Sequence, residues 1–171
     1  VTATSTEADG DTASTVSTLN VAVTGVADAP TVSVSDASGA EDSAIALDIS
    51  AAVTDVDGSE SITGITIEGL PTGASLSAGT ENPDGSWTLS PAELTGLTVT
   101  PPADSDDDFS LTVTATSTEA DGDTASTVST LNVAVTGVAD APTVSVSDAA
   151  GAEDTAIALD ISAAVTDVDG S

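Results

Sequence analysis

The chain copies itself. Residues 113–171 repeat residues 1–59 with two differences, Ala150 where the first copy has Ser38 and Thr155 where it has Ser43. Val1-Thr2-Ala3-Thr4 returns as Val113-Thr114-Ala115-Thr116, a displacement of 112 residues. Any fold open to the first copy is therefore open to the second. The repeating unit is one domain long, well above the about 20–50 residues of a solenoid repeat. This is a slice through a tandem array. An active site gains little from being copied end to end, whereas reach, stiffness and multivalency grow with copy number.

Charge is the second constraint. The chain carries 29 Asp and Glu, no Lys, Arg or His, and a formal net charge of −29. Without a cationic side chain it cannot neutralise phosphates, so neither nucleic acid nor an anionic membrane surface is an expected partner. No carboxylate can form a side-chain ion pair. Solvent, backbone N–H groups or bound cations must handle the charge. Oxygen-only ligands favour a hard ion such as calcium, while the plainer reading is a solubility coat suited to salty surroundings.

Nucleophilic catalysis lacks its parts: with no His, Cys or Lys, no Ser-His-Asp, Cys-His or Ser-Lys arrangement can be assembled. Two carboxylates suffice for glycoside hydrolysis, but the acids fall at turns and the only aromatics are Trp87 and Phe109. The chain is not expected to be an enzyme. Absence of Cys removes disulfides and zinc-thiolate sites. No signal peptide and no run of about 18 apolar residues occurs, so no membrane span is expected within this stretch. Hydrophobic residues nevertheless make up 39%, more than disordered acidic tails carry, so a folded aliphatic core is expected.

Short alternating runs carry the fold signal. Val32 and Val34, Ile45, Leu47 and Ile49, Ile65 and Ile67, Leu97 and Val99, and Leu111, Val113 and Ala115 each alternate with mostly polar or small residues. That is the pattern of half-buried strands. Strands are predicted at 31–35, 43–49, 61–68, 74–78, 86–100 with a break, 108–117 and 124–137. Val128 is out of phase with Leu131, Val133 and Val135, which predicts a bulge or a change of sheet. Residues 50–53 are expected to form at most a short helical turn. Trp87, at strand spacing from Leu89, is read as a core anchor, and Asp48 as an exposed strand residue. Turn chemistry separates the runs at Asp57-Gly58, Pro71-Thr72-Gly73, Asn82-Pro83-Asp84-Gly85 and Asp121-Gly122. About seven strands per 112-residue unit predict an all-β, immunoglobulin-like β-sandwich.

The unit boundary falls at Gly137-Val138-Ala139-Asp140-Ala141-Pro142 and its copy, Gly25 to Pro30, where a proline opens the first strand of the next unit. Residues 1–28 are then the tail of one repeat, 29–140 a complete repeat, and 141–171 the head of a third. With strands alternating up and down, Glu41, Asp42 and the run Asp104, Asp106, Asp107 and Asp108 gather at the exit end beside Asp140. The next unit presents Asp167 and Asp169 across the junction, and Glu153, the copy of Glu41, is a further candidate. The entry end gathers Asp55, Asp57, Glu119, Asp121 and Asp123 around Asp28. Calcium takes six to eight oxygens, and about that many carboxylate oxygens converge on each junction. All of these except Asp107 are candidate metal ligands; the bland reading leaves them as hydrated loop acids.

Three motifs at one period carry a resemblance. Val138-Ala139-Asp140-Ala141-Pro142 resembles the Asn-Asp-Ala-Pro linkers of cadherin-like tandem repeats, although Ala139-Asp140 stands where those often carry Asp-Asn. Ala40-Glu41-Asp42 resembles their early acidic motif, and Val53-Thr54-Asp55-Val56-Asp57-Gly58 their Asp-x-Asp-Gly loop. The unit as a whole is similar to the extender modules of giant bacterial repeats-in-toxin adhesins. The resemblance implies calcium-rigidified sandwiches, extracellular on a bacterial cell surface, that project a distal binding domain. The expected partners are calcium ions and neighbouring repeats of the same chain, with no oligomer required. Two other readings stay open. One is a multivalent acidic module that binds carbohydrate or protein, and the other a surface-layer segment whose acids only maintain solubility in salt.

Overall fold

A computed structural model describes residues 1–55 and 58–166. Alternation and turn chemistry produce an all-β chain: among the described residues there is no α-helix, only a 3-10 turn at Pro91–Leu94. None of those residues forms a helix long and apolar enough to cross a membrane.

In chain order, β1 (Thr2–Thr6) and β2 (Thr12–Val16) form a hairpin. Then come β3 (Thr31–Ser35), β4 (Ala37–Ala40), β5 (Ile45–Ala46), β6 (Asp48–Ala52) and β7 (Glu60–Glu68). They are followed by β8 (Ser75–Leu76), β9 (Thr80–Glu81), β10 (Trp87–Leu89) and β11 (Thr98–Thr100). The long strands β12 (Phe109–Glu119) and β13 (Thr124–Thr136) complete the central unit. Last are β14 (Thr143–Val146) and β15 (Ile161–Ala164), which pair with each other.

The main sheet has six strands, β4-β13-β12-β7-β10-β9, and is curled. Within it β4 runs parallel to β13, while the other pairs are antiparallel. Two smaller sheets, β3-β6 and β5-β11-β8, supply the rest of the core. Ile45, Leu47, Ile49, Ile65, Ile67, Leu97, Val99, Leu111, Val113 and Ala115 are all buried, as their alternation requires; Val32 and Val34 pack against them half-buried.

Several local expectations need correction. Residues 50–52 continue β6 and form no helical turn. The predicted strand 43–49 is divided into β5, which pairs with β11, and β6, which pairs with β3; the Leu47 N–H bond to the Leu97 carbonyl carries the β5–β11 register up to that change of partner. The predicted strand 86–100 changes sheets: β10 pairs with β7, and after the 3-10 turn β11 pairs with β5 and β8. The central unit is therefore cut into more and shorter strands than seven. Trp87 is half-buried at the margin of the core, whose centre is aliphatic.

Val128 marks no bulge. β13 keeps one register against β12 from Thr124 to Val133, and Val128 simply points outward. The bulge lies in the neighbouring pair instead. Between Thr116 and Ser117 the register of β12 against β7 jumps from Gly64 to Ile62, leaving Thr63 unpaired in the ladder. Its hydroxyl is satisfied by the Thr118 hydroxyl at 2.7 Å. One extra residue reverses which side chains face in. Ile65 and Ile67 face the core above the bulge, and Glu60 and Ile62 turn inward below it.

Candidate metal centre

Carboxylates grip the linker at both ends of the central unit. At the entry end, β12 turns into β13 through Ala120–Asp123, with Gly122 at φ +98°, a conformation that glycine adopts freely. The Gly122 N–H closes the turn on the Glu119 carbonyl at 3.0 Å. This turn aims two acids at the incoming linker. Asp121 Oδ2 accepts the Gly25 N–H and Asp123 Oδ2 the Ala27 N–H, each at 3.0 Å. The buried Ser117 hydroxyl donates to the Asp28 carbonyl at 2.7 Å. Asp28 itself is exposed, and half-buried Asp55 accepts the Ser59 hydroxyl at 3.4 Å.

Two further acids at this end are buried. Glu60 and Glu119 face each other across the β7–β12 register and are 7% and 8% exposed. Glu60 is a residue that sequence reasoning missed. Counting alternation back from Ile67 and Ile65 places it on the outer face, and only the bulge at Thr63 brings it in.

At the exit end, buried Glu41 accepts the Val138 N–H on Oε1 at 2.5 Å, and its own N–H donates to the Thr136 carbonyl at 3.0 Å. Asp42 accepts the Asp104 N–H at 3.1 Å. Both residues sit at positive φ, 55° and 51°, a region Asp tolerates better than most residues. Asp108 accepts the Val135 N–H at 2.8 Å. The turn at 41–44 and the loop at 101–108 thus meet the departing strand at one end. Asp106, Asp107, Asp140 and Glu153 are exposed. Asp57, Asp167 and Asp169 lie outside the described residues. Among the described residues, no group of three or more acidic side chains is placed to hold a metal ion.

The two ends fit together because the linker is itself repeated. Gly25-Val26-Ala27 and Gly137-Val138-Ala139 are copies. In the first copy the outer two N–H groups bond the unit that follows; in the second the middle N–H bonds the unit that precedes. Successive N–H groups of an extended segment point to opposite sides, so one linker can satisfy both grips at once. A groove of about 410 Å³ between β6 and the 3-10 turn includes one carboxylate, Asp48, in its lining.

Comparison with known proteins gives no match to a family model, to a curated protein or to a solved structure.

Proposed function

We propose that the chain is part of a tandem array of immunoglobulin-like, cadherin-like β-sandwiches that serves as a structural extender. In this reading each 112-residue unit is a spacer in a large adhesin of a bacterial cell surface. Calcium at the junctions stiffens the array so that a distal binding domain is held away from the cell. The curled six-stranded sheet and the two smaller sheets that share its aliphatic core support that reading.

The observation that carries this reading is the double grip on the linker. Asp121 and Asp123 of the following unit fasten the outer N–H groups of the first linker copy, and Glu41 of the preceding unit fastens the middle N–H of the second copy, so in a continuous array each linker would be held from both sides. A linker fastened on both sides cannot swivel freely, and each grip concentrates negative charge where a cation would relieve it. Pairs of carboxylates, backbone carbonyls and water suffice as ligands for calcium, which needs no group of three acids.

Small-angle scattering of a protein with two complete repeats tests the reading. In calcium the pair is expected to scatter as an extended rod, and with chelator as a more compact, flexible average. Asp121→Ala with Asp123→Ala in both units should shift the calcium profile toward the chelated one while circular dichroism keeps its strand signal. Identical profiles with and without calcium would rule out a calcium-stiffened spacer.

A further inference from the structure

Glu60 and Glu119 occupy directly opposite positions on neighbouring antiparallel strands. Such a pair places its Cβ atoms about 5 Å apart on one face of the sheet. Both side chains are more than nine-tenths buried, and neither carboxylate oxygen of Glu60 has a hydrogen-bond partner. The linker lies against Glu119. A Cβ built on Gly25 would stand 2.9 Å from Glu119 Oε2, so at that point only glycine lets the linker come this close without a shift.

Buried carboxylates without compensation destabilise a fold. In most proteins Lys, Arg or His would supply the counter-charge, and this sequence has none. The geometry points to a divalent-cation site within the unit, held by Glu60 and Glu119 and covered by the linker at Gly25. Two carboxylates bring charge −2 and up to four oxygens, which suits a hard cation of calcium's class with water completing its shell. The choice of calcium rests on the extender reading; the site itself rests on the buried pair. Because Gly25 closes over it, filling this site also seats the incoming linker.

Calorimetric calcium titrations and thermal melts of this 171-residue chain test the site, using Glu60→Gln, Glu119→Gln and, as a control, Glu68→Gln at the exposed far end of β7. The amide keeps the shape and removes the charge. Glu60→Gln is expected to melt higher than the parent in chelator, gain less from millimolar calcium, and lose one binding event. Glu119→Gln should behave alike and Glu68→Gln like the parent.

A merely structural Glu60 would lower the melt in both conditions, which would overturn the site. So would failure of Glu60→Gln to fold in chelator where the parent folds. A higher melt in chelator with an unchanged calcium response would mean that the pair shares a proton and holds no cation. If the parent binds calcium and Glu60→Gln binds equally many ions, only this site is refuted. If the parent binds none, the extender reading falls with it.

Discussion

Carboxylates here do the work that basic side chains often share, and they do it by accepting backbone N–H groups. Asp36 Oδ1 takes the N–H of Asn132 at 2.8 Å, tying the β3–β4 corner to β13. Asp84 accepts the Ser86 hydroxyl at 2.7 Å and then the Ser86 N–H at 3.0 Å, which hold its carboxyl below the ordinary 3.8. Glu93 is held below its ordinary 4.5 by the Ser90 N–H and then the Ser90 hydroxyl, both at 2.7 Å. A depressed folded-state value means that the unfolded chain binds the proton more readily. The contribution of each is complete above the ordinary value and is lost as pH falls through the depressed one. Denaturant melts should therefore lose stability more steeply below pH 4.5 in the parent than in Asp84→Asn with Glu93→Gln. Both groups are solvent-exposed, so the difference should shrink in high salt. Parallel pH profiles would show that these turns do not discriminate between protonation states.

Strand length is set by what lies alongside. β2 and β13 begin with the same sequence, yet β2 ends at Val16 while β13 runs on to Thr136. The continuation of β13 through Leu131, Val133 and Val135 is flanked by β12 on one edge and, from Val133, by β4 on the other. Leu131 is 0% exposed, and its copy Leu19 is 77% exposed. This gives a comparison with its own control. Leu131→Ala should destabilise the unit by about 2–5 kcal/mol through lost burial and the cavity left behind. Leu19→Ala, the same change in the same local sequence, should alter stability by less than about 0.5 kcal/mol. The two midpoints in urea check it, and equal losses would mean that residues 17–28 share in the cooperative core.

For the whole molecule, a net charge of −29 with no internal cation makes bound ions the natural source of compensation. A ligand that binds only the folded state adds about 2.7 kcal/mol at a hundredfold excess over its dissociation constant. With about 4–8 °C per kcal/mol for a domain of this size, chelation is expected to lower the melting temperature by about 10 °C or more. High sodium chloride should recover only part of that, since screening weakens repulsion without coordinating. Superimposed melts with chelator and with millimolar calcium would leave the acids as a solubility coat.

The repeat, the all-β class, the inward faces of most strands and the loops that meet at each end were all legible in the amino-acid order. These follow from period-2 alternation and from turn residues, both of which act over a few neighbours. That order also placed Glu41 beside the departing strand and Asp121 and Asp123 beside the linker, because strand direction fixes which loops share an end. The division of strands between sheets emerged only from the folded arrangement, since that depends on which edge is already taken. The fold alone decided that Glu60 is buried, because a single unpaired residue at Thr63 reverses every side chain before it. It also decided how deep Val32 and Val34 sit: they pack half-buried against a core that other strands supply. Burial belongs to the partner surface, and no local sequence contains that.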